Sequence, residues 1–256
     1  MACPWKRSIA VFLLCAIPGL ASADAAPAQR TLTADVPAAA FKKLVLHVGV
    51  GEVHIKASDD DKVHMQVTLK QKERESLWFF HWMSAGTAED IASAAIKQQV
   101  QGDTLSLGLN YKGDSDSNDL KQEWEVQLPA RLALDTDMKV GELTIKDVAG
   151  GVDASLNVGE LTIDVPRGHL KGDVNVGEIR AKSGSADHGS IRLSSSIGEA
   201  VIYIKGSQSG YHDHSGLGNT VSVDGKGHDD MSLSVNIGEA SLRIQAPDDA
   251  KAGGGK

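Results

Sequence analysis

The chain has 256 residues, with 26 Lys and Arg against 34 Asp and Glu, a formal net charge of −8 and aromatic residues at only 4%. That acidity argues against nucleic acid or anionic membrane as a main partner. The length suits one domain, or one domain with an elaborated end, and no later segment is apolar for long enough to span a bilayer as a helix.

In chain order, residues 1–23 read as a signal peptide. Lys6 and Arg7 precede an apolar run over residues 9–17, and Ala21-Ser22-Ala23 supplies small residues for cleavage. Leu14 before Cys15 makes a lipoprotein site a poor fit. Cleavage after Ala23 removes Cys3 and Cys15 together with both cations, which takes the charge from −8 to −10. The mature chain is then cysteine-free in a compartment that permits disulfides, periplasmic or extracellular, and must rely on core burial and backbone pairing. Residues 24–40 read as a flexible N-terminal segment.

Residues 41–129 read as a strand-rich N-terminal region. Leu44, Leu46 and Val48 alternate, as do Val63, Met65, Val67 and Leu69, then Leu105, Leu107 and Leu109, then Trp124, Val126 and Leu128. An insertion over residues 77–97 interrupts them, with Trp78, Phe79, Phe80 and Trp82 crowded together and Thr87 placed to cap a helix running to Ile96. Ile91 and Ala95 would share one face of that helix. The insertion reads as a cap over an open sheet end, or as a patch facing a partner, a glycan or a membrane.

Residues 130–245 repeat themselves. Val/Ile-Gly-Glu corners place glycines at Gly141, Gly159, Gly177, Gly198, Gly218 and Gly238, in steps of 18, 18, 21, 20 and 20 residues, and Gly51 begins an earlier copy. Before the corner Val152, Ala154, Leu156 and Val158 alternate. After it Leu161 and Ile163 do, and the last copy repeats the pattern through Met231, Leu233, Val235, Ile237, Leu242 and Ile244. Two short strands and a turn fill each period. The expected architecture is therefore all-β, a parallel β-solenoid or β-helix-like stack of rungs about 20 residues long. Each glycine would form a tight corner that allows positive φ and close stacking. The copy "SGLGNTVSV" puts Asn219 in place of Glu and shifts Val221 and Val223 out of phase, which predicts a bulge there. Residues 246–256 read as a disordered tail.

These blocks, "FKKLVLHVGVGEVHIKASDDDKVHMQVTLK", "GDTLSLGL" and "EWEVQLPARLALDTDMKVGELTI", resemble the "putative adhesin" β-strand-repeat family of bacterial envelope proteins, over residues 41–245. The resemblance implies a β-helix-like fold and a cell-envelope setting. It carries no catalytic residues.

Four groups of residues bear on function. His188, His212, His214 and His228, with His169, follow the second strand of successive copies and would ligate Zn²⁺, Cu²⁺ or Ni²⁺ if the loops converge; otherwise they are exposed loop histidines. The column Glu142, Glu160, Glu178, Glu199 and Glu239 offers hard oxygens for Ca²⁺ or simply solvates a corner, with Lys146, Arg180, Lys182 and Arg243 placed to offset its charge. Asp114, Asp116, Asn118 and Glu125 take calcium-loop offsets, but Asp119 stands where that loop needs Gly. Glu160, Asp164, Glu178, Arg180 and Lys182 are the one cluster fit for a polysaccharide-active enzyme, and their types equally make an ordinary mixed-charge surface. The reading that results is an exported, non-enzymatic envelope scaffold binding an envelope protein or surface glycan. The alternatives are a periplasmic metal-binding protein and a β-helix polysaccharide enzyme. Nothing in the pattern specifies a resident cofactor, the solenoid hand or an oligomeric state.

Overall fold

A computed structural model describes residues 29–71, 88–111, 120–183, 189–205, 211–212, 219–224 and 230–245. The described chain is nearly all β, with one short helix. Its elements are β1 (Gln29–Pro37), β2 (Lys43–Ser58), β3 (Lys62–Gln71), α1 (Ala88–Ser93), β4 (Ala95–Gln101), β5 (Thr104–Asn110), β6 (Leu120–Pro129), β7 (Ala133–Lys146), β8 (Val152–Val165), β9 (Leu170–Ser183), β10 (Ile191–Lys205), β11 (Tyr211–His212), β12 (Asn219–Asp224) and β13 (Asp230–Gln245).

All strands belong to one sheet. Its main path runs β1-β3-β6-β2-β7-β8-β9-β10-β13-β12-β11, and β4 joins through β5, which pairs with β2. The sheet is mixed and open. Its middle is the parallel run β2-β7-β8-β9-β10-β13. Antiparallel strands lie on both sides of that run, β3 and β1 beyond β6 at one end and β12 and β11 at the other. The parallel rungs expected over residues 130–245 are found in β7-β8-β9-β10-β13, but β11 and β12 depart from them and the sheet as a whole is mixed.

Six long strands share one internal design. In β8, Val152, Ala154 and Leu156 are buried, then Leu161, Ile163 and Val165; residues 157–160 between them are not. The inward parity thus switches from even to odd across the corner. Both halves reach the same apolar core. A Cβ added at Gly172, in the first half of β9, would lie 3.4 Å from Leu161 Cδ2 and 3.7 Å from Ile163 Cδ1, both in the second half of β8. The two halves of each bent strand therefore face one another across a thin interior, filled by Val, Ile, Leu and Ala through burial of apolar area.

The bend is made at glycine. Gly51, Gly141, Gly159, Gly177, Gly198 and Gly238 lie in one column, Gly opposite Gly, with φ between 136° and 153°. Backbones here approach so closely that a Cβ at Gly159 would stand 1.8 Å from the carbonyl oxygen of Gly141. No other side chain fits that space or readily adopts that φ.

Gly198 pairs directly with Gly238, so no strand carrying Gly218 intervenes. Gly218 itself lies outside the described residues. Its copy continues instead as β12, antiparallel to β13, which sets Val221 opposite Leu233 and Val223 opposite Met231. The phase of the valines explains the reversal. A parallel rung in the common register would align Thr220 and Ser222 with the buried Ala240 and Leu242; running antiparallel instead aligns the valines with buried apolar positions.

Two further expectations change. Residues 29–37, expected to be flexible, form β1, because Leu32, Ala34 and Val36 alternate and pack against the core. The helix expected over residues 87–96 is shorter: Ile91 and Ala94 are buried in or just after α1, whereas Ala95 is exposed and begins β4. Arg30 holds this corner by donating from Nη1 to the carbonyls of Ile91, Ala92 and Ala94 at the C-terminal end of α1, where a cation and the free carbonyls are complementary. Residues 1–28, including the signal-peptide span, and residues 246–256 lie outside the described residues.

β1 is fastened to the turn after β2 by one histidine. His64 on β3 hydrogen-bonds Asp35 on β1 at 2.7 Å and Asp60 in the turn at 3.0 Å. The Asp35 bond, then the Asp60 bond, hold the His64 pKa above its ordinary 6.5, and the bond from His64 lowers that of Asp60. Because the folded His64 value is raised, its stabilising effect is complete below the unfolded value and is lost as pH rises through the folded one. The Asp60 effect has the opposite sense and is lost as pH falls through its depressed value. In an NMR titration His64 should show a midpoint above 6.5 that returns to the ordinary value in a D35N/D60N variant; equal midpoints in the two proteins would refute the clasp.

Candidate functional site

The corner that builds the fold also shapes its outer face. Since residues 157–160 turn away from the core, Val158 points to solvent, which corrects the expectation that it belongs with Leu156 on the inward face; Ile237 departs from Val235 in the same way. The same position in each neighbouring strand repeats the exposure. Val140, Val158 and Val176 are 38–39% exposed, Ile197 47% and Ile237 53%, and Val50 is half-buried at the start of the row. Pairing is in register at every step, so the six side chains form one continuous apolar ridge. Five steps of roughly 4.8 Å make it roughly 24 Å long.

Polar residues flank the ridge. On one side stand Lys139, Asn157, Asn175, Ser196 and Asn236, the residues just before it, and Asn175 donates to Asn157 at 3.2 Å. On the other, past the glycines, Glu52, Glu142, Glu160, Glu178, Glu199 and Glu239 form a second in-register column. Arg180 bridges Glu160 and Glu178, and Lys121 pairs with Glu52 at 2.8 Å, holding that carboxyl below its ordinary value. Among the described residues Glu142, Glu199 and Glu239 form no ion pair. The column therefore keeps unpaired carboxylates at Glu142, Glu199 and Glu239. A shallow depression lined by Val50, Gly51, Glu52, Lys121, Gly141 and Glu142 marks its β2 end.

The residues considered for polysaccharide chemistry are brought together by β8 and β9, but as an ion-paired surface: Arg180 with Glu160 and Glu178, and Lys182 with Asp164 at 3.0 Å. Arg243 lies over the ring of Tyr203, 5.6 Å from its centre. None of the proposed metal ligands apart from His169 has a described side chain. His188, His214 and His228 lie outside the described residues, as does the side chain of His212, although its backbone pairs with Ser222. His169 is exposed and shares a hydrogen bond with the Ser190 hydroxyl. Trp78, Phe79, Phe80 and Trp82, and the calcium-loop candidates Asp114, Asp116 and Asn118, also lie outside the described residues. No cluster of three or more His, Cys, Asp or Glu suited to a metal occurs among the described residues, and no helix among them is long and apolar enough to cross a membrane.

The ridge was readable only in part. Its Val/Ile positions stand in every copy of the motif except that of Gly218, which has Leu217, but plain alternation assigns them inward. The usable signal was phase: Leu156 and Leu161 are five residues apart, so they share the inward face only if the segment between them swings out.

No family model matches the chain, and neither does any curated protein. Solved structures do. A "putative cell adhesion protein" from Clostridium sporogenes aligns over 86% of this chain and 100% of its own, with 15% identity and a TM-score of 0.43. A "putative adhesin" from Bacteroides fragilis covers 86% and 99%, at 15% identity and a TM-score of 0.29. A "putative lipid binding protein" from Parabacteroides distasonis covers 85% and 96%, at 12% identity and a TM-score of 0.23. The names of the first two agree with the family resemblance noted over residues 41–245. All three scores lie below 0.5, so no residue role is transferred from them.

Proposed function

We propose that the protein is an exported, non-catalytic interaction scaffold of the bacterial cell envelope, with solenoid-like rungs that serve to hold a recognition surface straight and rigid. The observation that carries this reading is the apolar ridge of Val140, Val158, Val176, Ile197 and Ile237, exposed in register beside a glutamate column that is only partly neutralised. A contiguous exposed apolar strip marks an interaction site. The polysaccharide-enzyme alternative is weaker, since its carboxylates are engaged by Arg180 and Lys182.

The dimensions indicate the partner. A strip roughly 24 Å long and one side chain wide falls far short of the roughly 800 Å² per partner of a standard protein interface. It suits a narrow polypeptide segment, and an α-helix of about 16 residues matches its length at 1.5 Å per residue. The unpaired glutamates require that the apolar stripe of such a helix be flanked by Lys or Arg.

Two synthetic helical peptides test this, identical in their leucine stripe but flanked by lysine in one and glutamate in the other. The lysine peptide should bind at least about tenfold more tightly, and a V158T/V176T/I197T variant should lose about tenfold or more of that affinity. Threonine keeps the β-branched shape, so the variant should melt like the wild type. Equal binding of the two peptides, or an unaffected triple variant, would overturn the proposal.

A further inference from the structure

One edge of β2 changes neighbour halfway along. β5 pairs with it from Lys43 to Leu46, and β6 takes over at Gly51. In the fork between them lies a cleft of about 340 Å³, within the size range of small-ligand sites. Its polar lining includes Lys97, Lys139, His47 and Asp137. Lys97 forms no ion pair among the described residues. Val48, Leu107 and Leu109 supply an apolar wall.

Gly108 sits at the centre. In the pairing register it lies opposite Lys97 on β4, and β5 brings it beside His47, which in turn faces Asp137 on β7. Unlike the corner glycines it has no positive φ, and an added Cβ would meet only the His47 carbonyl oxygen at 3.6 Å and His47 Cβ at 3.9 Å, ordinary contacts. The backbone does not demand glycine here. Its effect is to leave open space between a lysine and a histidine.

We propose that this cleft binds an organic carboxylate, with the carboxylate between Lys97 and His47 and a small apolar body against Val48 and Leu109. The same chemistry is offered by a short-chain free acid and by the C-terminal carboxylate of a polypeptide. Titrations followed by the backbone amide signals of His47, Ser106 and Gly108 separate them. Hexanoate should shift these signals saturably and hexanol at least about tenfold more weakly; Lys97→Gln should lower the hexanoate affinity by about tenfold, and Gly108→Val should abolish it without changing the melting temperature. Acetyl-leucyl-leucine binding more tightly than hexanoate, with its amide silent, assigns the polypeptide terminus; the reverse order assigns a free acid. Failure of both acids to saturate, equal response to hexanoate and hexanol, or undiminished binding by both the Lys97→Gln and the Gly108→Val variants would overturn the proposal.

Discussion

Gly159→Val should prevent folding, and Gly159→Ala should cost more than about 4 kcal/mol, near the limit of single-residue effects. The reason is geometric. A Cβ at this position falls 1.8 Å from the Gly141 carbonyl oxygen and 2.8 Å from its carbon, atoms of a backbone fixed in the parallel ladder, and φ is 140°. Relief would require separating β8 from β7 at the corner, which breaks pairing on both sides of it. Gly102 is the control: its φ is 62°, but an added Cβ meets nothing within 4 Å, so alanine there should cost only about 1–2 kcal/mol, the conformational term alone. Urea denaturation of the three variants separates clash from conformation. A Gly159→Ala protein melting within a few degrees of wild type would show that the corner column tolerates side chains and that its glycines are not structural.

Trp124→Ala should cost about 4–5 kcal/mol, at the upper end of large-to-small core substitutions. Trp124 is among the largest fully buried side chains, and β6 places it between Val53 of β2 and Val67 of β3. Its Nε1 donates to Gln122 Oε1 at 3.0 Å, and Gln122 Nε2 donates to the Tyr111 hydroxyl at 3.3 Å. Gln122 is itself buried. Removal of the indole therefore leaves a cavity and takes from the Gln122 oxygen its Trp124 donor. Trp124→Phe keeps most of the volume and should cost about 1–3 kcal/mol, chiefly for that lost bond. A loss below about 1 kcal/mol for the alanine variant in the same denaturation series would mean that the junction of β2, β3 and β6 repacks freely.

The difference between what was legible in the sequence and what was not follows the range of the forces involved. Alternation of Val63, Met65, Val67 and Leu69, or of Trp124, Val126 and Leu128, reports a local period, and these residues are all buried. The same local rule fails at Val158 and Ile237, because the chain entering the corner swings away from the core before the glycine is reached. β1 was missed although Leu32, Ala34 and Val36 alternate, since its short, mixed composition signals a strand only once β3 is beside it. The Gly218 copy keeps the spacing of the motif, and Asn219 and the phase of Val221 and Val223 set it apart. The carboxylate cleft was invisible for a different reason: it arises from two strands sharing one edge of β2, a fact of topology that no window of sequence contains.

The direct contact of Gly198 with Gly238, and the antiparallel strands beyond both ends of the parallel run, bear on how such a molecule can change in size. Every interior strand meets its neighbours through one common register, so the array behaves as a ruler with a unit of one strand spacing. Gain or loss of a unit between β7 and β10 would leave both terminators intact and lengthen or shorten the ridge by roughly 4.8 Å. At the β13 end, β12 runs antiparallel along residues 230–235 and caps that half of the edge with a strand of reversed direction. Length is thus adjustable inside the molecule.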